Sequence, residues 1–109
     1  ELTPSLEYAL DELMALPEPP DALFCYNDAA AIVAMNYCHQ NGIRVPEDLA
    51  IVGFDDIPAA QVTSPPLTTI AQDYRRAGEI LVDALIRQIN KQPADARLLL
   101  PHLVVRGSA

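Results

Sequence analysis

The sequence predicts an α/β protein built on a parallel sheet, and three observations carry that expectation. The run Leu49 to Phe54 is short and apolar, and it breaks at once into two adjacent carboxylates, Asp55 and Asp56. Apolar runs of this length bounded by turn signals are expected of buried parallel strands. Two further β-prone runs, Ala22 to Tyr26 and Leu67 to Gln72, alternate with stretches of helical periodicity. The chain has ten prolines, and they cluster between these segments, with Pro17, Pro19 and Pro20, Pro58, Pro65 and Pro66, and Pro93 acting as punctuation.

The elements follow in order. Thr3-Pro4 signals a helix start, with Thr as N-cap and Pro at the first helical position. Leu6, Ala9, Leu10, Leu13 and Met14 then recur at helical spacing until Pro17. After the strand Ala22–Tyr26, Asn27-Asp28 ends the run and Asp28 is placed to cap a helix from Ala29 to Gln40. Gly42 closes that helix. The strand Leu49–Phe54 follows, and a double-proline turn leads to Leu67–Gln72. Asp73 can cap a long helix from Tyr74 to about Asn90. Its apolar arc holds Ala77, Leu81, Val82, Leu85 and Ile89, and Asp83 and Arg87 stand at i,i+4 on its polar face. A last strand is expected over His102–Arg106. The order is α-β-α-β-β-α-β, without internal repeats.

Composition narrows the function. At 109 residues the chain is one domain's worth, and half of it is hydrophobic, which suits a packed core. A net charge of −8 argues against this segment gripping a phosphate backbone. No apolar stretch reaches the roughly 18 residues of a membrane span, and no secretory signal opens the chain. Cys25 and Cys38 sit in apolar contexts and are expected to be buried free thiols in a reducing compartment, with a disulfide or a catalytic cysteine as the alternatives.

One helix needs more than a sheet to bury it. Ala30, Ala31, Val33, Ala34, Met35, Tyr37 and Cys38 span an apolar arc of roughly 200°, about twice what a one-sided surface helix requires. A second subunit is the simplest cover, which makes Ala31, Ala34, Met35 and Cys38 candidate dimer-interface residues. Another helix of the same chain would serve as well.

Three residues could carry binding chemistry. Asn27, Asp55 and Gln72 each stand at the C-terminal end of an expected strand, the edge at which open α/β sheets bind ligands. Two amides offer donors and acceptors, and an ionised carboxylate accepts up to four hydrogen bonds. That mixture suits a hydroxyl-rich ligand. It suits a metal poorly, because one anionic ligand converges and no histidine joins it. The competing expectation is that Asn27 and Asp55 only terminate strands or cap helices. An acid/base pair of Asp55 and Asp56 is disfavoured, since adjacent strand residues point to opposite faces; Asp56 is expected to cap the turn at Ile57-Pro58. His39 and His102 are lone histidines. There is no phosphate loop, nucleophile elbow or Cys/His metal spacing, so neither an enzyme nor a cofactor is expected.

The segments P-D-A-L-F-C-Y-N-D, G-I-R-V-P-E-D-L-A-I-V-G-F-D-D, T-S-P-P-L-T-T-I and L-V-V-R-G-S closely resemble the effector-binding domain of LacI/GalR-type bacterial transcription regulators. The resemblance runs from about Ser5 to Ser108. It implies a type I periplasmic-binding-protein fold, two α/β lobes with a small ligand in the cleft, of which this chain would be the C-terminal part. Residues 1–72 would belong to the C-terminal lobe, 73–96 to a crossover helix and loop of the N-terminal lobe, and 97–109 to a return strand. It implies that Asn27, Asp55 and Gln72 contact a sugar or similar effector, and that the protein is a cytoplasmic homodimer. DNA would be bound through a head outside this sequence, with no role for a membrane. A periplasmic sugar-binding protein of a transporter is the alternative.

Overall fold

The computed structural model describes Leu2 to Ala109, with side chains from Pro4 onward. Its elements are α1 (Leu2–Met14), β1 (Ala22–Phe24), α2 (Asp28–Gln40), β2 (Ala50–Asp55), β3 (Thr68–Ala71), α3 (Tyr74–Ile89) and β4 (His102–Val104), in the expected order. A 3-10 turn at Pro58–Gln61, which the sequence did not announce, follows β2. Helix α1 already includes Leu2, ahead of Thr3; the expected Thr3 side-chain cap lies outside the described side chains.

The chain divides into two compact units. The first comprises the residues up to Ala71 together with Leu103–Ala109, and the second is Gln72–His102. The sheet has strand order β1-β2-β3-β4. Strands β1 and β2 are parallel, with Leu23 opposite Ile51, and β2 and β3 are parallel, with Gly53 opposite Thr69 and Asp55 opposite Ala71. Parallel neighbours need a crossover, which α2 supplies between β1 and β2.

Helix α2 shows why its apolar arc is so wide. Its residues Ala31, Ala34, Met35, Tyr37 and Cys38 form one core with Leu10 of α1 and with Leu49, Ile51, Ala60 and Leu67. Helix α1 covers one side of α2 and β2 the other. Tyr37 seals the helix pair by donating a 2.7 Å hydrogen bond from its hydroxyl to Asp11 Oδ1. The candidate interface residues Ala31, Ala34, Met35 and Cys38 are therefore interior, at 0%, 3%, 7% and 0% exposure. This corrects the expectation that a second subunit covers them: α1 supplies the cover from within the chain.

The helix ends also refine the reading. Asn27, not Asp28, caps α2: its backbone is extended and its side-chain Oδ1 accepts from Ala30 N–H at 2.8 Å. Asn41 ends the helix, its N–H bonding back to Tyr37 and Cys38, and Gly42 follows at φ +69, the left-handed value that favours glycine. Asp73 caps α3, accepting from Arg76 N–H at 2.9 Å, and Arg87 pairs with Asp83 at 2.9 Å. Within the second unit, α3 has no buried residue, and Leu81, Val82, Leu85, Ile86 and Ile89 lie open.

The C-terminal segment stitches β2 to β3. Ser108 is fully buried; its hydroxyl donates to Ile51 carbonyl at 2.6 Å and accepts from Thr68 N–H at 2.8 Å. Its carbonyl in turn accepts from Ile51 N–H at 2.8 Å. A Cβ at Gly107 would stand 3.0 Å from Pro65 Cβ and 3.3 Å from Pro66 Cδ, a tight fit.

Candidate functional site

The site is built from strand ends and the turns that leave them. Asp55 closes β2, and Asn27 follows β1 by three residues. Both are half-buried members of the first unit. Gln72 opens the second unit directly after Ala71, the register partner of Asp55. In that unit its Nε2 donates a 3.1 Å hydrogen bond to the Tyr74 hydroxyl.

Each residue has a local reason for its place. Asn27 leaves the strand in extended backbone and spends one carbonyl lone pair on the α2 cap, which keeps its Nδ2–H2 as donors. Capping and ligand contact are thus compatible in this side chain rather than exclusive. Asp55 has φ +117 and Asp56 φ +55, two successive residues in a region that L-residues avoid. The strand therefore ends in a costly left-handed bend, and such backbone persists only where its surroundings over-determine it.

Two long-range ties meet beside this pair, and sequence reasoning placed neither. Asp28 is wholly buried at the first turn of α2. Its Oδ2 accepts from Ile57 N–H at 2.8 Å and its Oδ1 from Thr69 Oγ1–H at 2.5 Å, so one carboxylate joins α2, the turn after β2, and β3. The positive end of the helix favours that charge. Gly53 makes room for it, because a Cβ there would overlap Asp28 Oδ1.

Asp56 does not cap the Ile57-Pro58 turn, as had been expected; the Ile57 N–H is already taken by Asp28. Its carboxylate instead stands 2.8 Å from Arg106 Nη2, an ion pair without an aligned hydrogen bond. Arg106 Nη1 donates to Leu67 carbonyl at 2.9 Å, and its backbone N–H donates to Thr68 Oγ1 at 2.8 Å. The available signals were the Asp after Asn27 and the R-G-S ending, but nothing local names their partners.

The remaining titratable groups do not extend the site. His39 and His102 are exposed. Cys25 and Cys38 are free thiols; burial, with the neighbouring Cys38 second, pushes Cys25 up to about 11, and burial likewise raises Cys38. Such thiols are poor nucleophiles near neutral pH. Among the described residues no three His, Cys, Asp or Glu side chains gather as a metal site would require, and no helix is long and apolar enough to cross a membrane.

Parallel strands with polar side chains beyond their C-terminal ends define a lobe of an α/β ligand-binding protein. Comparison with known proteins specifies it further: a periplasmic-binding-protein-like domain matches residues 2–109. The chain belongs to that family, and its relatives and structural neighbours include LacI-type transcription regulators. It is 40% identical over 108 residues to the HTH-type transcriptional repressor PurR of Aliivibrio fischeri, covering 95% of this chain and 32% of the relative. It is 41% identical over 102 residues to the repressor CytR of Escherichia coli K12, covering 92% of this chain and 30% of the relative. Among solved structures, the transcriptional regulator CelR–cellobiose complex aligns with a TM-score of 0.84 at 34% identity, over 98% of this chain and 33% of that one. The chain thus spans about a third of the length of the curated relatives it matches.

Proposed function

We propose that this chain is the C-terminal part of the sensor domain of a dimeric, cytoplasmic, LacI-type repressor, and that a sugar or similar hydroxylated effector contacts Asn27, Asp55 and Gln72. The observation that carries the reading is the placement of Asp55 at the C-terminal end of the central strand β2, in a family whose relative is described with bound cellobiose. The donor and acceptor balance of the three side chains fits hydroxyl groups, each of which gives and takes a hydrogen bond.

In the whole protein, residues 1–72 would form most of one lobe, 73–96 would cross to the other, and 97–109 would return. The open apolar face of α3 supports this, because an exposed stripe of that kind needs a cover that the second unit lacks. Effector binding would shift the regulator between DNA-competent and DNA-incompetent states by its differential affinity for them. The test is Asp55→Ala in the full-length regulator, read as operator release against sugar concentration. Loss of the response with retained operator binding supports the assignment, and an unchanged response refutes it.

A further inference from the structure

We propose that Arg106 is a positioning residue for the effector site: it holds Asp56, and through Asp56 the left-handed bend that orients Asp55. The inference rests on the reading of Asp55 as an effector contact.

Asp55 and Asp56 follow one another at φ +117 and +55, and neither is a glycine. A relaxed L-residue would leave that region, so something must hold the pair there. The Asp28 carboxylate fixes the next backbone position through Ile57 N–H. That tie anchors the far side of the bend. The contact at Asp56 itself is the guanidinium of Arg106, in a pair with side-chain exposures of 17% and 22%. Partial burial weakens solvent screening, so this pair differs from the exposed ion pairs of the chain, whose side chains are 41% to 71% open.

Arg106 is itself rigidly held. Its N–H is bonded to Thr68 Oγ1, its Nη1 to Leu67 carbonyl, and the following Gly107 and Ser108 N–H groups both to Pro66 carbonyl. A planar guanidinium can serve Leu67 and Asp56 at once; an ammonium is a single point charge. The bend that ends β2 is therefore referred to the N-terminal end of β3 through one side chain. The Arg106 guanidinium thus reaches the bend from 50 positions further along the chain, 106 less 56.

The test compares wild type with Arg106→Gln, Asp56→Asn, the double variant and Arg106→Lys, in protein carrying labelled aspartate. The readout is the intraresidue HN–Hα NOE and the Cα and Cβ shifts of Asp55 and Asp56, which report positive φ without any ligand. Arg106→Gln should move both residues out of the positive-φ signature, Asp56→Asn should do the same, and the double variant should add nothing. Arg106→Lys should restore the signature in part. If Arg106→Gln fails to fold, Asp56→Asn decides alone. An Asp55 signature unchanged in the variants overturns the proposal, whatever happens to melting temperature. Failure of the effector-contact reading shows elsewhere, as an effector response that survives Asp55→Ala while the bend still depends on Arg106.

Discussion

Thr69 Oγ1 donates a 2.5 Å hydrogen bond to Asp28 Oδ1, joining β3 to the first turn of α2 across 41 residues of sequence. Both residues are buried, so water cannot replace either partner. The same carboxylate takes the Ile57 N–H, which makes Asp28 the point where the neighbours of Asn27 and Asp55 meet.

Asp28→Ala is accordingly expected to destabilise the fold by about 2–4 kcal/mol, since it strands the half-buried Ile57 N–H and the buried Thr69 hydroxyl. Asp28→Asn, which keeps one acceptor, should cost less. Urea denaturation followed by circular dichroism measures both, and equal midpoints for wild type and Asp28→Ala would refute the buried tie.

Gly53→Ala tests the same contact from the opposite side. The added Cβ would overlap Asp28 Oδ1 and come within 3.1 Å of Leu67 Cδ2. A loss of about 1–3 kcal/mol is expected from such overpacking, read as a lowered denaturation midpoint with an unchanged slope.

Ser108→Ala removes two buried hydrogen bonds and leaves Thr68 N–H without its acceptor. A cost of about 2 kcal/mol follows, with amide exchange of Thr68 accelerated more than that of Gly42. Uniform acceleration at both sites would point to global loosening rather than a local clamp.

The thiol of Cys25 gives a pH prediction. Burial raises its pKa from 9.0 to about 11, so the folded state holds its proton where the unfolded chain has lost it. Its contribution to stability is complete below about 9, falls as pH rises toward about 11, and is constant above. Alkylation by iodoacetamide should therefore be slow at neutral pH and climb through that window; rapid labelling of native protein at neutral pH would contradict it.

The elements were legible because their signals are local. The apolar run before Asp55, the Asp73 cap and the left-handed Gly42 each depend on a few neighbours in sequence, and each stands where the pattern put it. What closed over them was not legible. Nothing in the spacing of Ala31, Ala34, Met35 and Cys38 distinguishes cover by α1 from cover by a partner, because the arc records how much must be buried and not by what. The ties made by Asp28 and Arg106 were illegible for the same reason, their partners lying 29 to 50 residues away, the last being 106 less 56. The choice of Asn27, Asp55 and Gln72 as candidates rests on the expectation that parallel strands bring their C-terminal ends to one ligand-binding edge.

The most direct measurement is calorimetric titration of the full-length regulator with glucose, sucrose, cellobiose and adenosine, in wild type and in Asp55→Ala. Saturable binding of at least one of these to wild type is expected, with a loss of about 10- to 100-fold in affinity in the variant, as follows when a charged hydrogen-bond partner is removed. Binding that persists undiminished in Asp55→Ala would contradict this expectation, and so would the absence of binding by every hydroxylated compound.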